Sequence, residues 1–362
     1  MGACCRTFNS AENALLMKYL PLILGSLLAL FSTGGTPVHA QGLQEAVSPY
    51  LSKAETLPAS SVSSGYSSAN STTNTTNDEG GDSSVLTIRK RVDEVNVVFS
   101  ATDSHGKFVK NLSQKDFAVL DNQAPPQSIL DFQRATDLPL RVGLVVDASG
   151  SVRNRLVFEQ NSAIQFLNQV VRAGKDQAFV IGFNSHSELT QDFTDNISQL
   201  SNGVRGLHAG GGTALYDAIY LAARDKLLKS STSKPVRRAI IVLSDGEDNQ
   251  SEMSRRQAIE MAQRAEVIIY AISTDDSGMI MRGDGVLQEL AASTGGRAFY
   301  PYKMSDITKA FSAIEEELRS QYSVAYKPAQ VAPNGQYHSI QILALNKKVH
   351  VRSRPGYFAP RQ

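Results

Sequence analysis

Side chains that carry oxygen ligands stand at three places in the sequence, two of which directly follow an apolar run. The stretch DASGS at 147–151 directly follows the apolar run 140–146. The glycine-rich stretch 209–212 comes just before Thr213, and Asp245 follows another apolar run. Carboxylates and hydroxyls are hard oxygen donors, which suit Mg²⁺ or Mn²⁺ better than a soft metal. The sequence therefore predicts one divalent-cation site with the donors Asp147, Ser149, Ser151, Thr213 and Asp245.

The elements around these donors alternate between strand and helix patterns. Continuous apolar runs are typical of strands buried on both faces of a parallel sheet. The alternation predicts an α/β fold, a doubly wound and mostly parallel sheet with helices on both faces. In such a sheet ligands bind at the carboxyl ends of the strands, where the donors are expected to meet. The predicted strands are 140–146, 178–183, 239–243 and 267–272, and the predicted helices are 156–171, 214–228, 255–265, 286–293 and 304–319.

The donor set resembles the metal-ion-dependent adhesion site of von Willebrand factor type A domains. The DxSxS motif, the later threonine and the Ser-Asp-Gly sequence at 244–246 match that site at all five positions. Elements over 138–320 follow the order of this family, and residues 86–360 most resemble bacterial secreted proteins related to it, which have β-rich flanks as well. The resemblance implies that the neutral hydroxyls leave the cation able to attract an Asp or Glu carboxylate of a partner protein. It also implies adhesion rather than enzymatic activity.

Both flanks of the α/β region have the period-two alternation of antiparallel strands, at 86–136 and again at 321–358. Each flank alone is marginal as a domain without disulfides or a structural metal. We therefore expect the two flanks to form one small β-rich unit. The predicted division is a signal peptide at 1–40, a flexible Ser/Thr/Asn-rich linker at 41–85, a β-rich segment at 86–136, the type A domain at 137–320, and a second β-rich segment at 321–362.

The N-terminal region predicts export from the cytoplasm. An apolar run at 19–31 follows Lys18 and precedes Val38-His39-Ala40, the pattern of a signal peptide cleaved after Ala40. A start at Met17 would make this signal peptide more typical. The run is short for a membrane span, so an uncleaved anchor is the alternative and the one expected link to a membrane. The expected location is secreted, periplasmic or at the cell surface.

Composition excludes several classes of protein. A formal net charge of +1 gives no basic field for binding nucleic acid. Hydrophobic residues make up 41% of the chain, enough for a substantial core. Both cysteines, Cys4 and Cys5, precede the predicted cleavage site. The mature chain is therefore expected to lack disulfides, thiolate chemistry and cysteine-bound zinc.

A metal-dependent hydrolase is the main alternative class. Enzymes of the haloacid dehalogenase type have a second aspartate two residues after the first, where this chain has Ser149. Ser149 as a nucleophile would need a base, and His186 and His208 are interpreted as loop or surface residues. The glycine-rich stretch also lacks the lysine of a phosphate-binding P-loop. A structural or self-assembly role, in which the site binds a neighbouring copy, stays open as a third class.

Three further motifs are interpreted as surface features. The integrin-recognition tripeptide Arg282-Gly283-Asp284 is expected to form a solvated turn. Arg237-Arg238 is expected to be a solvated entry to a strand. Glu247 and Asp248 are interpreted as surface acids that would at most tune the charge of the metal loop.

Overall fold

A computed structural model describes residues 94–360 except 231–234, 276–278, 280, 304 and 331–333. The predicted signal peptide and linker, the alternative start and both cysteines lie outside these residues. Within the described residues no helix combines the length and the apolar character that crossing a membrane requires.

The described elements run from an all-β segment through an α/β region to a second all-β segment. The strands are β1 (Val95–Thr102), β2 (Phe117–Asp121), β3 (Ser128–Arg134), β4 (Leu140–Asp147), β5 (Gln177–Phe183), β6 (Ser187–Thr194), β7 (Arg237–Ser244), β8 (Val267–Ser273), β9 (Ala298–Phe299), β10 (Tyr322–Lys327), β11 (Tyr337–Ala344), β12 (His350–Ser353) and β13 (Gly356–Phe358). The α-helices are α1 (Leu156–Val170), α2 (Ile197–Arg205), α3 (Leu215–Leu221), α4 (Arg255–Arg264), α5 (Arg282–Ala292) and α6 (Asp306–Leu318).

The α/β region is built on a six-stranded sheet with the order β6-β5-β4-β7-β8-β9. All neighbouring pairs are parallel except β5 and β6, which are antiparallel. Successive side chains of a strand point to opposite faces, so Leu144 and Val146 enter one core while Val145 enters the other. The first core includes α1, α2 and α6, and the second includes α3, α4 and α5. The predicted doubly wound α/β fold is therefore confirmed.

Strands from the two flanks pair with each other in two smaller sheets. One sheet has the order β12-β1-β10-β3 and the other β13-β11-β2, so every neighbour of β1, β2 and β3 in them comes from the C-terminal flank. Val97 and Phe99 of β1 share a core with Tyr322 and Val324 of β10. Four aromatic rings stack or meet edge to face in this core: Phe99, Phe117, Phe132 and Tyr322. The boundaries proposed from the sequence stay a prediction, which truncation can test.

Several elements differ from the sequence-based expectation. The edge strand β6, the short helix α2 and the two-residue strand β9 were not expected, because few large apolar residues mark them. Gly203 interrupts the helix pattern of α2, yet a β-carbon there would come within 2.5 Å of the side chain of Gln191. The expected helix 214–228 is an α-helix only in its first half, and Ala222–Leu228 continues it as a π-helix.

Candidate metal centre

Two of the predicted donors lie at the carboxyl ends of adjacent strands. Asp147 is the last residue of β4 and is fully buried, and Asp245 follows the last residue of β7. The register of the two parallel strands places Asp147 beside Ser244, whose hydroxyl donates to Asp147 Oδ2 at 2.9 Å. Since β5 and β7 flank β4 on opposite sides, the strand order reverses here. This is the place in a doubly wound sheet where ligands bind.

A chain of hydrogen bonds connects four of the five predicted donors. The backbone N–H of Ser149 donates to Asp147 Oδ1 at 2.8 Å. The hydroxyls of Ser149 and Ser151 are 3.0 Å apart, and the Ser151 hydroxyl lies 3.4 Å from Asp245 Oδ2. Asp147, Ser149, Ser151 and Asp245 are therefore brought into one cluster, although they come from two separate loops.

Thr213 reaches the same edge of the sheet through its backbone. Gly210 N–H donates to Ala148 O at 2.8 Å, and Gly150 N–H donates to Gly211 O at 3.2 Å. Gly211 has a φ of 76°, which glycine adopts without strain. Thr213 is buried, and its N–H donates to Asn249 Oδ1 in the loop that follows Asp245. In the described part of the chain, no hydrogen bond joins the Thr213 hydroxyl to the other four donors.

The electrostatics of the cluster favour a bound cation. Burial raises the pKa of Asp147, and the nearby negative charge of Asp245 raises it further, against hydrogen bonds from Ser149 that lower it. A divalent cation would relieve both destabilising effects on the ionised form of Asp147. No group of three or more His, Cys, Asp and Glu side chains among the described residues could hold a metal. Because the predicted donor set has only two carboxylates beside three hydroxyls, it fits a hard cation that also accepts neutral oxygen ligands.

Two charged residues beside the cluster were not identified from the sequence. Arg155 Nη2 lies 3.8 Å from Asp245 Oδ2, and Arg155 Nε lies 3.3 Å from Glu159 Oε1. Glu159 is fully buried, and burial raises its pKa to about 8, despite the opposing charge of Arg155. The sequence did carry a signal for Glu159, because it falls on the buried face of α1 between Leu156 and Ala163.

The Arg-Gly-Asp sequence is not a solvated turn. It forms the first turn of α5, with Gly283 and Asp284 buried. Asp284 Oδ2 accepts a hydrogen bond from Met281 N–H at 3.0 Å and so caps the helix. A carboxylate at a helix N-terminus is stabilised by the free N–H groups there, which explains the role of this aspartate. The expectation of a solvated turn was wrong because the backbone of Asp245 and Gly246 lies directly against Gly283.

Two other surface expectations also need correction. Arg237 is only 5% exposed, since the N-terminal end of β7 is covered by the end of α6. Asp248 is half-buried, and its Oδ2 accepts hydrogen bonds from Tyr216 N–H at 3.1 Å and the Ser251 hydroxyl. It thus caps α3 rather than standing free in solvent. Glu247, His186 and His208 are exposed, as expected.

The fold and the donor cluster agree with a comparison to protein families. Residues 142–316 match the family model of the von Willebrand factor type A domain. This part of the chain is a von Willebrand factor type A domain. The matched range of this A domain contains all five predicted donors. No curated protein sequence matches the chain.

Solved structures similar to this chain include two bacterial proteins and one animal protein. BatB, a conserved hypothetical protein from Bacteroides thetaiotaomicron, is 20% identical, with 49% of this chain and 97% of that chain covered and a TM-score of 0.40. The von Willebrand factor domain of Mfa5, a type V pili tip protein from Porphyromonas gingivalis, is 15% identical, with 49% of this chain and 94% of that chain covered and a TM-score of 0.41. Proximal thread matrix protein 1 from the mussel byssus was solved with zinc in its metal-ion-dependent adhesion site (MIDAS) motif. It is 15% identical, with 55% of this chain and 50% of that chain covered and a TM-score of 0.45.

Proposed function

We propose that the A domain holds one divalent cation, Mg²⁺ or Mn²⁺, and uses it to capture an Asp or Glu carboxylate of a protein partner. The observation that carries this proposal is the hydrogen-bonded cluster of Asp147, Ser149, Ser151 and Asp245, with the Thr213 loop bonded to its edge. A bound cation would supply electrostatic attraction for an anionic ligand. The protein would act in the periplasm, at the cell surface or after secretion.

The charges around the cluster support capture of an anion. Asp147 and Asp245 together would balance the charge of a divalent cation. Arg155 lies close enough to Asp245 to offset part of its negative charge. Burial of Glu159 raises its pKa and so disfavours a second negative charge beside Arg155. An occupied site would therefore have a net positive potential, which favours a carboxylate over a neutral ligand.

Binding fits the site better than hydrolysis does. The Ser149 hydroxyl, the nucleophile that a hydrolase would need, is hydrogen-bonded to the hydroxyl of Ser151. Among the described residues, no histidine is hydrogen-bonded to either serine, and His186 and His208 are exposed. A serine nucleophile requires a base within hydrogen-bond reach. We therefore propose an adhesion module and not an enzyme.

Calorimetric titration with Mn²⁺ and with Mg²⁺ tests the metal site. We expect the wild-type protein to bind one ion and the Asp147→Ala variant to bind none. Asp131→Ala is the matched control, because Asp131 is an exposed carboxylate on β3 and lies outside the A domain. Equal binding by the wild-type protein and Asp147→Ala would show that the cluster is not the metal site.

Capture of a partner is tested separately, with the immobilised protein and a native envelope fraction. We expect a protein partner to be retained in Mg²⁺, released by a chelator, and absent from the Asp147→Ala column. Blocking the partner's carboxylates with a carbodiimide and an amine should also abolish retention. A partner retained equally with and without the chelator would contradict metal-dependent capture. Retention of further copies of this chain alone would instead identify self-assembly.

A further inference from the structure

Two loops of the smaller sheets lie side by side at one end of their strands. The loop 103–116 connects the end of β1 to the start of β2, and the loop 345–349 connects the end of β11 to the start of β12. Thr102, the last residue of β1, pairs with the first residue of β12. The N–H of Leu345 donates to Asp116 O, just before β2, at 2.9 Å. Both ends of each loop are therefore held next to the other loop.

Lysines are concentrated in these two loops. Five of them are exposed: Lys107, Lys110, Lys115, Lys347 and Lys348. Within the described part of the chain none of the five forms an ion pair, whereas Lys226, Lys229 and Lys309 of the A domain each pair with an aspartate. The ammonium groups of the two loops are thus available to an anionic partner.

The two carboxylates in the loops do not offset this charge. Asp103 Oδ1 accepts hydrogen bonds from the backbone N–H groups of His105 and Lys107 at 2.8 and 3.0 Å. Asp116 Oδ2 accepts from the N–H and the hydroxyl of Ser113 at 2.7 and 2.9 Å. Five positive and two negative charges leave an excess of three positive charges, although the whole chain has a net charge of only +1. The net charge of the chain therefore conceals a local basic surface.

Apolar side chains are exposed beside these lysines. Side chains alternate along β11, and Ile340 and Ile342 lie in the core, so Leu343 and Leu345 face outward. Their exposed fractions are 47% and 63%. Loops 103–116 and 345–349, together with Leu343, are termed the basic end. This surface combines unpaired positive charge with protruding leucines.

We propose that the basic end docks on the surface of a bilayer that contains anionic phospholipids. The lysine ammonium groups would bind headgroup phosphates, to which each lysine near the surface adds attraction. Leu343 and Leu345 would enter the boundary between the head groups and the acyl chains. A soluble polyanion would satisfy the lysines but leave the leucines in water, so a bilayer fits this surface better.

Docking at the basic end would leave the metal centre free. Asn96 of β1 and Ser323 of β10 line a small cavity together with Leu140 and Val267, the first residues of β4 and β8. The flanking sheet that contains β1 and β10 therefore adjoins the edge of the central sheet at which these strands begin. Asp147 lies at the opposite edge, where β4 ends. A protein docked on a membrane could thus still present its donors to a partner.

The test is co-sedimentation of the predicted mature chain, residues 41–362, with vesicles of phosphatidylcholine alone or mixed with phosphatidylglycerol. A chelator is present throughout, so that no divalent cation bridges the A domain to lipid phosphates. We expect binding only to the vesicles that contain phosphatidylglycerol. Raising the salt from about 0.1 M to about 1 M should release the protein, because the Debye length falls from about 10 Å to about 3 Å.

Two sets of variants test the lysines and the leucines separately. Lys347→Gln/Lys348→Gln should weaken binding to the anionic vesicles about tenfold or more. Lys229→Gln/Lys309→Gln is the matched control, because it removes the same charge from exposed lysines of the A domain and should bind as the wild-type protein does. Leu345→Ser should weaken binding about fivefold, because the serine gains little from entering the membrane interface. Thermal unfolding of each variant checks that the fold is unchanged.

Several outcomes would overturn the proposal. These are no binding to either kind of vesicle, equal binding to both, or wild-type binding by Lys347→Gln/Lys348→Gln. Retention on an immobilised acidic polysaccharide without binding to vesicles would identify a soluble polyanion as the partner instead. Wild-type binding by Leu345→Ser would refute the entry of the leucines into the bilayer.

Discussion

The backbone of Gly283, in the first turn of α5, lies directly against the carbonyl oxygen of Asp245. A β-carbon at position 283 would overlap that oxygen. Gly246, which follows Asp245 in the chain, has a φ of 80° and faces the carbonyl group of Gly283. The loop that carries Asp245, the second carboxylate of the proposed metal centre, therefore rests on the start of α5, with no space for a side chain between them.

This contact predicts that Gly283→Ala weakens metal binding. The added methyl group must push Asp245 away from Asp147 and the serines, at a cost of about 1–3 kcal/mol in stability as well. Calorimetry with Mn²⁺ and thermal unfolding measure the two effects. Gly285→Ala is the matched control, because it lies in the same turn and a β-carbon there meets nothing within 4 Å. Equal Mn²⁺ affinity in both variants would show that the contact does not position Asp245.

Replacement of Thr213 should separate binding from folding. The backbone of Thr213 is held by Asn249 and Gln250, so the loop keeps these bonds in Thr213→Ala. We expect Mg²⁺-dependent capture of the partner to fall strongly while the stability changes by only about 1 kcal/mol. Thr213→Ser keeps the hydroxyl and should restore capture. A melting temperature that collapses together with binding would indicate that Thr213 braces the loops.

Glu159 should make the protein less stable as the pH rises. Its pKa is raised from 4.5 to about 8 in the folded protein, so between these values the folded state binds more protons than the unfolded state. The stabilisation is complete below about pH 4.5 and is lost as the pH rises through about 8. Denaturant unfolding at several pH values should show a steeper slope in the wild-type protein than in Glu159→Gln. Glu188→Gln is the control, because Glu188 is exposed on the edge strand β6, and this variant should keep the wild-type slope. A slope that persists unchanged in Glu159→Gln would contradict the assignment.

Deletion of residues 321–362 should unfold the N-terminal flank. The deletion removes every strand that neighbours β1, β2 and β3 in their two sheets. Apolar side chains such as Val97 and Phe99 would lose the other half of their core. Limited proteolysis with mass spectrometry should find cleavage within 94–136, while 138–320 stays resistant. Persistent protection of 94–136 would show that the flank folds independently.

The sequence by itself determined the α/β fold and proposed the donor cluster. Buried parallel strands leave continuous apolar runs, as at 140–146, and residues that directly follow such runs lie at the carboxyl edge of the sheet. The local order of residues therefore placed Asp147, Ser149, Ser151 and Asp245 near one another without knowledge of the packing. Antiparallel flanks were also visible, because alternation with period two is a local property.

Only the tertiary structure decided which polar groups are buried and which loops touch. Arg237 and Asp284 resemble surface residues in the sequence, and they are buried because α6 and the Asp245 loop cover them. Likewise, the approach of Arg155 to Asp245 joins residues far apart in the chain. Such contacts depend on how layers of helices and strands pack, and a periodic pattern reports the environment of one element without naming its neighbours. That is why the sequence could predict the donors, whereas the packed chain fixed the positions and charges of the groups around them.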